Sequence, residues 1–526
     1  MNAETENTKT TRNTLDYKTL KTAVNGSAAA IRVVTQLEPV GHQRDKVFPP
    51  TYAGGEYATE KRYPALDPKA EDQPLQSVLL HSVAGEANLL EEALKSAIQD
   101  GLLKVNGNEI NVPLLQVSFN DTAAAEYVPE PITVLDAPHR VFDAIFRDSE
   151  IPGQRGASTL FKDTNAGKDI GKASLANATP LYQWSPTSLL FGCWNSANDK
   201  VQNKIPGNLK FARAIVSEIV GYGIVQGVRV GGKNDPVGIT GQAIYKLPSE
   251  EETTDVKQAV HDSDGKPWYR SKDGNSWTQV ESQARKETKN EKGKSKEVLF
   301  YRAVGSEWTT DEGQAAKNAS GNPIKWGEKG KPSEVNLGQV TPTIGKSPDS
   351  KDAKDFKRHL PQYERHEELR RAGGGITMKY ATQTTVLSLS ALRRMRFPVN
   401  GQRTPEGDTA ARTVLAALGL VAISAQRERD YFLRSRCELR AVNAPPFEFV
   451  PQGRDIKDSD RFTLSFEQAV TLLKEALDNT TNLSWKTSND MPQLKPKTNL
   501  AELIRLSHER GGAEDEEQAD PTSEQS

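Results

Sequence analysis

An α+β fold built on an antiparallel sheet is predicted for this 526-residue chain by two features of its pattern. Strand-like and helix-like segments are mixed without regular βα units, and the longest apolar run, Val414 to Ile423, is about half the ~20 residues of a membrane span and reads as a core helix. Charged residues make up 26% and mean hydropathy is -0.64, so solvated stretches must accompany the packed parts.

Taken in order, the polar residues 1–27 read as a disordered tail without an apolar leader. Ala28 to Leu37 (AAAIRVVTQL) reads as a buried strand closed by Glu38-Pro39. A long excursion rich in cations, rings, Pro and Gly follows. Ala87, Leu90, Leu94, Ala97 and Ile98 share one helical face, with Ser82 as N-cap and Gly101 as stop. Glu109 to Phe119 reads as a strand, and a helix is expected from an Asp136 N-cap with Pro138 in its first turn. For the run KFARAIVSEIVGYGIVQGVRVGG, a helix that finishes as strand is one reading, and periodicity alone does not arbitrate between helix and strand.

Residues 246–371 lose their apolar runs and read as a polar, partly disordered insertion with small β elements. Within it, WYRSKDGNSWT and FYRAVGSEWTT echo each other, and Asp273-Gly274 is a hairpin signal, but two echoes do not make a repeat fold. Order returns with the strand-like Gly375 to Leu392, a helix from Thr409 to Ala425, and a helix after Phe462 whose Ser465 and Gln468 have capping-box spacing. The acidic residues 509–526 read as a disordered tail, which leaves 28–245 and 372–508 as the two parts of one core domain.

Chemistry-bearing motifs fail one by one. Cys193 and Cys437 stand far apart and read as buried free thiols, which suits a reducing cytoplasm. GKDIGKAS at Gly167 has the wrong spacing for a phosphate loop and Ala173 where its hydroxyl belongs, and GYGIVQG at Gly221 reads as close backbone packing. The seven histidines form no zinc spacing, and no nucleophile elbow occurs, so neither a metal nor another cofactor is expected. Asp45 could serve metal-assisted hydrolysis, yet between Arg44 and Lys46 it reads first as a local ion-pair partner.

Local charge is more informative than the net of -2. Between Ile376 and Arg440 there are 11 Lys/Arg against 5 acids. His42, Arg44, Lys46, Lys61 and Arg62 are interleaved with Phe48, Tyr52, Tyr57 and Tyr63, which supplies cations for a phosphate backbone and rings for unstacked bases.

The segments LEPVG, DKVFPPTYAGGEY, LLHSVAGEANLLEEAL, DAPHRVFDAIFRDS, ANATPLYQWSPTSLLFGCWNS and KFARAIVSEIVGYG together resemble the backbone subunit of type I-G (formerly I-U) CRISPR Cascade, the seventh Cas family of the RAMP superfamily. The resemblance spans about Ala28 to Tyr245 and, more loosely, Gly373 to Leu477. It implies a modified RNA-recognition (ferredoxin-like) palm with a thumb-like loop at about 38–75. It further implies copies stacked along one CRISPR RNA, which they hold open for pairing with target DNA. Guide-processing and large Cascade subunits and a recruited helicase-nuclease are the implied partners, with no membrane and no chemistry of the chain's own.

On that reading the RNA-binding candidates are His42, Arg44, Lys46 and Tyr52, His139 and Arg140 at a helix start, Lys210 and Arg213, and Arg393, Arg394 and Arg396. The alternatives are a RAMP-type ribonuclease using Asp45 and a protein-only scaffold. Deleting about Glu250 to Gln362 is expected to leave guide binding intact, and a folded deletion protein that no longer co-purifies with RNA would refute that division of the chain.

Overall fold

The computed structural model describes residues 14–52, 56–64, 73–153, 158–195, 209–227, 230–233, 245–291, 294–325, 340–344, 374–429, 431–480 and 482–514. The chain divides into two compact units, Met1–Gly227 with Gly375–Ser526, and Val228–Gly374. The boundaries lie within about twenty residues of the composition shifts at 246 and 371, because the chain leaves and re-enters the first unit through a short neck, Val225–Gln226 paired with Ile376–Thr377.

The first unit is α+β. Its nine-stranded antiparallel sheet comprises β1 (Ala30–Pro39), β2 (Thr59–Arg62), β3 (Leu75–His81), β4 (Ile215–Tyr222), β5 (Tyr380–Ser388), β6 (Tyr431–Arg434), β7 (Cys437–Ala441), β8 (Phe447–Val450) and β9 (Arg461–Phe462). The order is β6-β7-β1-β5-β4-β3-β2, with β8 bridging β1 and β9. One face is covered by α1 (Tyr17–Asn25), α2 (Val83–Gln99), α3 (Leu389–Arg393), α4 (Pro405–Glu428) and α5 (Phe466–Asp478); α6 (Thr498–Glu514) follows. Reading β1, α2, β4, β5, α4 and β7 in chain order gives βαββαβ, and those four strands lie side by side as β7-β1-β5-β4. That is the split βαβ arrangement of ferredoxin-like and RNA-recognition folds, with β2 and β3 added at one edge and β6 at the other.

Alternation builds this sheet. Ile31, Val33 and Thr35 of β1 and Gln383, Thr385 and Leu387 of β5 are buried on the helix-covered face, whereas Arg32, Val34, Gln36, Thr384 and Val386 between them are only partly covered; Leu37 and Ala381, on the same face, enter a second cluster with Val47, Ile376 and Leu439. α4 crosses this face closely: a Cβ on Gly419 would sit 3.2 Å from both Ile215 and Leu387. Although α4 is long and apolar enough to cross a membrane, 94% of its most apolar window is buried in this core. At the sheet centre Glu86, fully buried, accepts from His81 Nδ1 at 2.7 Å, Ser217 Oγ at 2.7 Å and Gln383 Nε2 at 2.6 Å. Gln383 passes the network on to Gln426 of α4 at 3.0 Å and to the Tyr431 hydroxyl of β6 at 3.2 Å.

Several expectations are corrected. Residues 1–27 are not all tail, since α1, capped by Asp16, buries Leu20 and Val24. Glu109 to Phe119 is no continuous strand, because Pro113 interrupts it and only the pairs Asn108–Glu109 and Gln116–Val117 are paired. Asp136 caps no helix. Its carboxylate instead accepts from the Thr133 amide and hydroxyl at 2.8 Å, and the chain makes a single 3₁₀ turn (Arg140–Phe142) before Asp143 caps the four-residue helix Ala144–Arg147. The run after Lys210 is strand from its start, its Ile and Val pairing in β4 against β5. Thr59–Arg62, inside the 38–75 excursion, folds back as an edge strand, and α6 carries the chain helically past 508 to Glu514. Residues 515–526 and 345–373 lie outside the described residues.

In the second unit, Tyr245–Thr253 and Tyr301–Thr309 pair antiparallel within a four-stranded sheet that includes the Tyr269–Arg270 and Trp277–Thr278 hairpin. The echo seen in the sequence, offset by 32 residues, is not the structural repeat, which relates Tyr245 to Tyr301 at an offset of 56 residues. Thr253, Thr254, Asp255, Gln258, Ala259, Gly265 and Pro267 recur as Thr309, Thr310, Asp311, Gln314, Ala315, Gly321 and Pro323. The contacts are reciprocal: Val260 N donates to Arg302 O at 2.8 Å and Ala316 N to Lys246 O at 2.7 Å, with Arg302 N to Trp268 O and Lys246 N to Ile324 O both at 2.9 Å. Asp255 and Asp311 each cap a one-turn 3₁₀ helix. The halves are therefore related by an approximate twofold axis that passes between Pro248 and Val304, which face each other, and between His261 and Lys317.

Gly265 and Gly321 have φ of +77° and +74°, and a Cβ on either would come within 2.3 Å of a carbonyl of the other half, Ala319 O and Ser263 O respectively. Gly265→Ala and Gly321→Ala are each expected to cost at least about 1 to 2 kcal/mol. Hydrogen exchange should accelerate equally in both halves of this unit and stay unchanged in the nine-stranded sheet.

Candidate nucleic-acid interface

The sequence-predicted cations divide between the two ends of the sheet. At the end where β1 finishes and β5 begins, the chain turns through 40–47 and is pinned at Val47, which exchanges hydrogen bonds with Ile376 at 2.9 and 2.8 Å. Gly41 permits this turn, since a Cβ there would sit 2.1 Å from Asp45 Oδ2. His42, Arg44 and Lys46 are exposed, Arg44 at φ +69°, and Lys46 lies along Gly375. Tyr52 is exposed on the short strand Thr51–Tyr52. Beside them Arg436, on the β6–β7 turn, stacks 4.0 Å over Phe48, whose amide bonds the Arg436 carbonyl at 3.0 Å. Tyr222 and Tyr380 stack at 5.6 Å on the sheet nearby.

Asp45 is spent within this loop. It accepts from the Lys46 amide at 2.8 Å and lies 3.8 Å from His42 Nε2. Among the described residues no three His, Cys, Asp or Glu side chains converge as metal ligands would. Cys193 and Cys437 are both buried, and burial pushes their thiols up to about 12 and about 11, so neither is a ready nucleophile.

The opposite end, where β5 finishes and β4 begins, lies a strand length away, roughly 25–30 Å. Here the hairpin of Cys193–Asn195 and Leu209–Phe211 sets Trp194 opposite Lys210. Trp194 is 43% exposed and meets the edge of the exposed His139 at 6.0 Å, while Arg213 is exposed just beyond the hairpin. His139, Lys210 and Arg213 thus gather around an accessible ring that motif reading missed, because a Trp after Gly-Cys looks like core. Arg394 is exposed at this end too.

Three candidates have internal partners, and of these Arg140 alone is buried. Arg140 is buried, holds Glu91 through two bonds of 2.6 and 2.8 Å, donates to the Gly192 carbonyl at 2.8 Å and faces the Phe191 ring. It fastens α2 to the turn that presents Trp194. With no full helix at His139, the expected amide end for phosphate is absent there. Arg393 donates to the carbonyls of Val24 and Ala28 at 3.3 and 2.6 Å, closing the end of α1, and burial lowers its pKa. Arg396 donates to the Arg393 carbonyl at 2.5 Å and approaches the buried Asp408, which also takes the Phe397 amide, Arg403 and Arg412.

Between the ends, the face turned away from the helices is electrically closed. Arg32 pairs with Glu448, Arg440 with Glu38, and Arg62 with Glu60 and Glu218. Val34, Gln36, Val216, Thr384 and Val386 carry no ring at the middle of that face, and its Tyr222 and Tyr380 stack on each other toward one strand end, whereas RNA-recognition sheets stack bases on central aromatics.

The molecule is thus an α+β protein with an RNA-recognition-type sheet whose unpaired cations and exposed rings lie at the strand ends. Residues 31–226, which run from β1 through β4 to the neck, match the model of the family described as CRISPR-associated protein GSU0053. No curated protein matches the chain.

Removing Arg140 strands Glu91, whose pKa burial already raises against the pull of Arg140. Arg140→Ala is therefore expected to lose about 3–5 kcal/mol of unfolding free energy. Lys210→Ala should stay within about 0.5 kcal/mol in the same denaturant titrations.

Proposed function

We propose that the chain is a non-catalytic, CRISPR RNA-binding backbone subunit of a type I-G Cascade complex. Copies line the guide in the cytoplasm and present it for pairing with target DNA. Guide-processing and large subunits complete the complex, and a recruited helicase-nuclease cuts. The observation that carries this reading is the placement of unpaired charge. Cations and rings occupy both ends of a sheet whose middle is closed by ion pairs, which suits a backbone followed along its phosphates rather than bases read on the sheet. The family match over residues 31–226 supports the CRISPR setting.

On this reading His42, Arg44, Lys46 and Tyr52 form one RNA-binding group, and His139, Lys210, Arg213 and Arg394, with Trp194, form the other. Arg436 joins the first. A ribonuclease reading would need Asp45 to hold a metal, but its carboxylate already staples its own loop.

The test is to co-express the chain with a CRISPR array and the neighbouring subunits, size the product and sequence its RNA. Spacer-bearing RNA in a large multimer is expected, and a nucleic-acid-free monomer would refute the proposal. Combined Lys210→Ala, Arg213→Ala and Arg394→Ala should lower the slope of log affinity against log salt by about one for each phosphate no longer neutralised, up to about three. Asp45→Ala should leave RNA integrity unchanged, and loss of a ribonuclease activity in that variant would favour the enzyme instead.

A further inference from the structure

Away from both cation groups, the last turn of α4, β6, the segment 441–445 and the start of α5 enclose a cavity of about 380 Å³. Arg427 forms part of its wall. The guanidinium rests 4.9 Å over the Phe447 ring and makes one hydrogen bond, from Nη2 to the Pro445 carbonyl at 3.1 Å. It has no carboxylate partner among the described residues. The adjacent Glu428 is turned to α5, where it accepts from the Phe466 amide at 2.7 Å. Burial accordingly lowers the pKa of Arg427, the mark of a cation stripped of water and given little in return.

A second observation points to a ligand at the same place. Ser424, one turn back on α4, also lines the cavity; it is 2% exposed, and its hydroxyl has no hydrogen-bond partner. A buried hydroxyl left unpaired costs about 1–3 kcal/mol, so such groups ordinarily have a partner. Opposite stands the N-terminal end of the thirteen-residue helix α5, with Ser465 and Gln468 on the cavity rim. An under-used guanidinium and an unpaired hydroxyl favour the same complement, a compact group with several acceptor oxygens; the start of α5 on the rim is already served by the Glu428 carboxylate, which also lines the cavity, and by its own capping box.

We propose that this cavity binds a small oxyanion of the phosphate class, with Arg427 as the charged donor and Ser424 as the hydroxyl donor. The ligand is either free phosphate or a simple phosphate ester, or a phosphodiester of a bound polynucleotide; the recognising chemistry is shared. The inference uses none of the residues assigned to guide binding and stands if that assignment fails.

The test is thermal unfolding of the full chain, freed of nucleic acid, against rising inorganic phosphate. Wild type should show a saturable rise in Tm. Gln468→Glu keeps the capping box with Ser465 and so preserves α5, yet brings a carboxylate to the rim. It should weaken the apparent phosphate affinity at least ten-fold. Ser424→Ala should weaken it a few-fold, and Arg427→Gln, if it folds, should abolish the shift. The surface variant Arg394→Ala should leave it unchanged. Competition by a short oligoribonucleotide that is itself sensitive to Gln468→Glu would identify the phosphodiester as the source, and its absence the free anion. A phosphate response identical in wild type, Gln468→Glu and Ser424→Ala, or one that never saturates, would overturn the proposal.

Discussion

The palm depends on one buried carboxylate. Glu86 enters beneath the sheet at the first turn of α2, where helix amides favour negative charge, and it would cost several kcal/mol there without partners. Its three bonds come from three adjacent strands, β3, β4 and β5, and Gln383 extends the set to α4 and β6. Apolar packing alone would let α2 slide along the sheet with little penalty. A directional network fixes the register of helix on sheet, and a fixed register is what places α2 so that Glu91, further along the same helix, meets Arg140. From Arg140 the constraint passes to Gly192 and so to the hairpin bearing Trp194 and Lys210. The geometry of an exposed surface group thus rests on a contact buried in the sheet centre.

A similar division of labour governs the arginines. Arg140, Arg393, Arg396 and Arg412 are drawn inward because each meets a carbonyl or a buried acid that needs a donor. Arg44, Arg213 and Arg394 are exposed and form no ion pair or side-chain hydrogen bond among the described residues. Residue type alone cannot sort these two sets, since a guanidinium serves a helix end as well as a phosphate. What sorts them is partners remote in sequence, such as Glu91 for Arg140 or Val24 for Arg393, and a single sequence does not display those pairings.

The legible parts of the sequence were those with local causes. Ser82 and Ser465 cap their helices as their spacing predicts, with Gln468 completing the box, and the apolar run of α4 is the core helix. The Asp273-Gly274 turn forms, with Gly274 at φ +74°. Errors and ambiguities arose where tertiary partners outweighed local propensity: Asp136 turned back to Thr133 instead of forward to a helix, and the segment around Ile215, open between helix and strand, is settled by pairing with β5. The 56-residue repeat was obscured because Trp308 draws the eye to Trp277, while the halves that pair reciprocally begin at Tyr245 and Tyr301.

The neck has a consequence for how the palm assembles. β4 and β5 are neighbours, yet the whole second unit lies between them in the chain. Were that insert an unstructured loop, closing it instead of a four-residue turn would cost roughly 3 kcal/mol of chain entropy, a sizeable fraction of a domain's net stability. A stretch that folds on itself, and whose segments Val230–Lys233 and Val340–Ile344 pair, shortens the effective loop from the 157 residues between Tyr222 and Tyr380 to the 7 before Val230 and the 35 after Ile344. The insert's own folding therefore lowers the barrier to joining the two central strands, and sequence changes that leave those paired ends intact can vary its interior without slowing the palm.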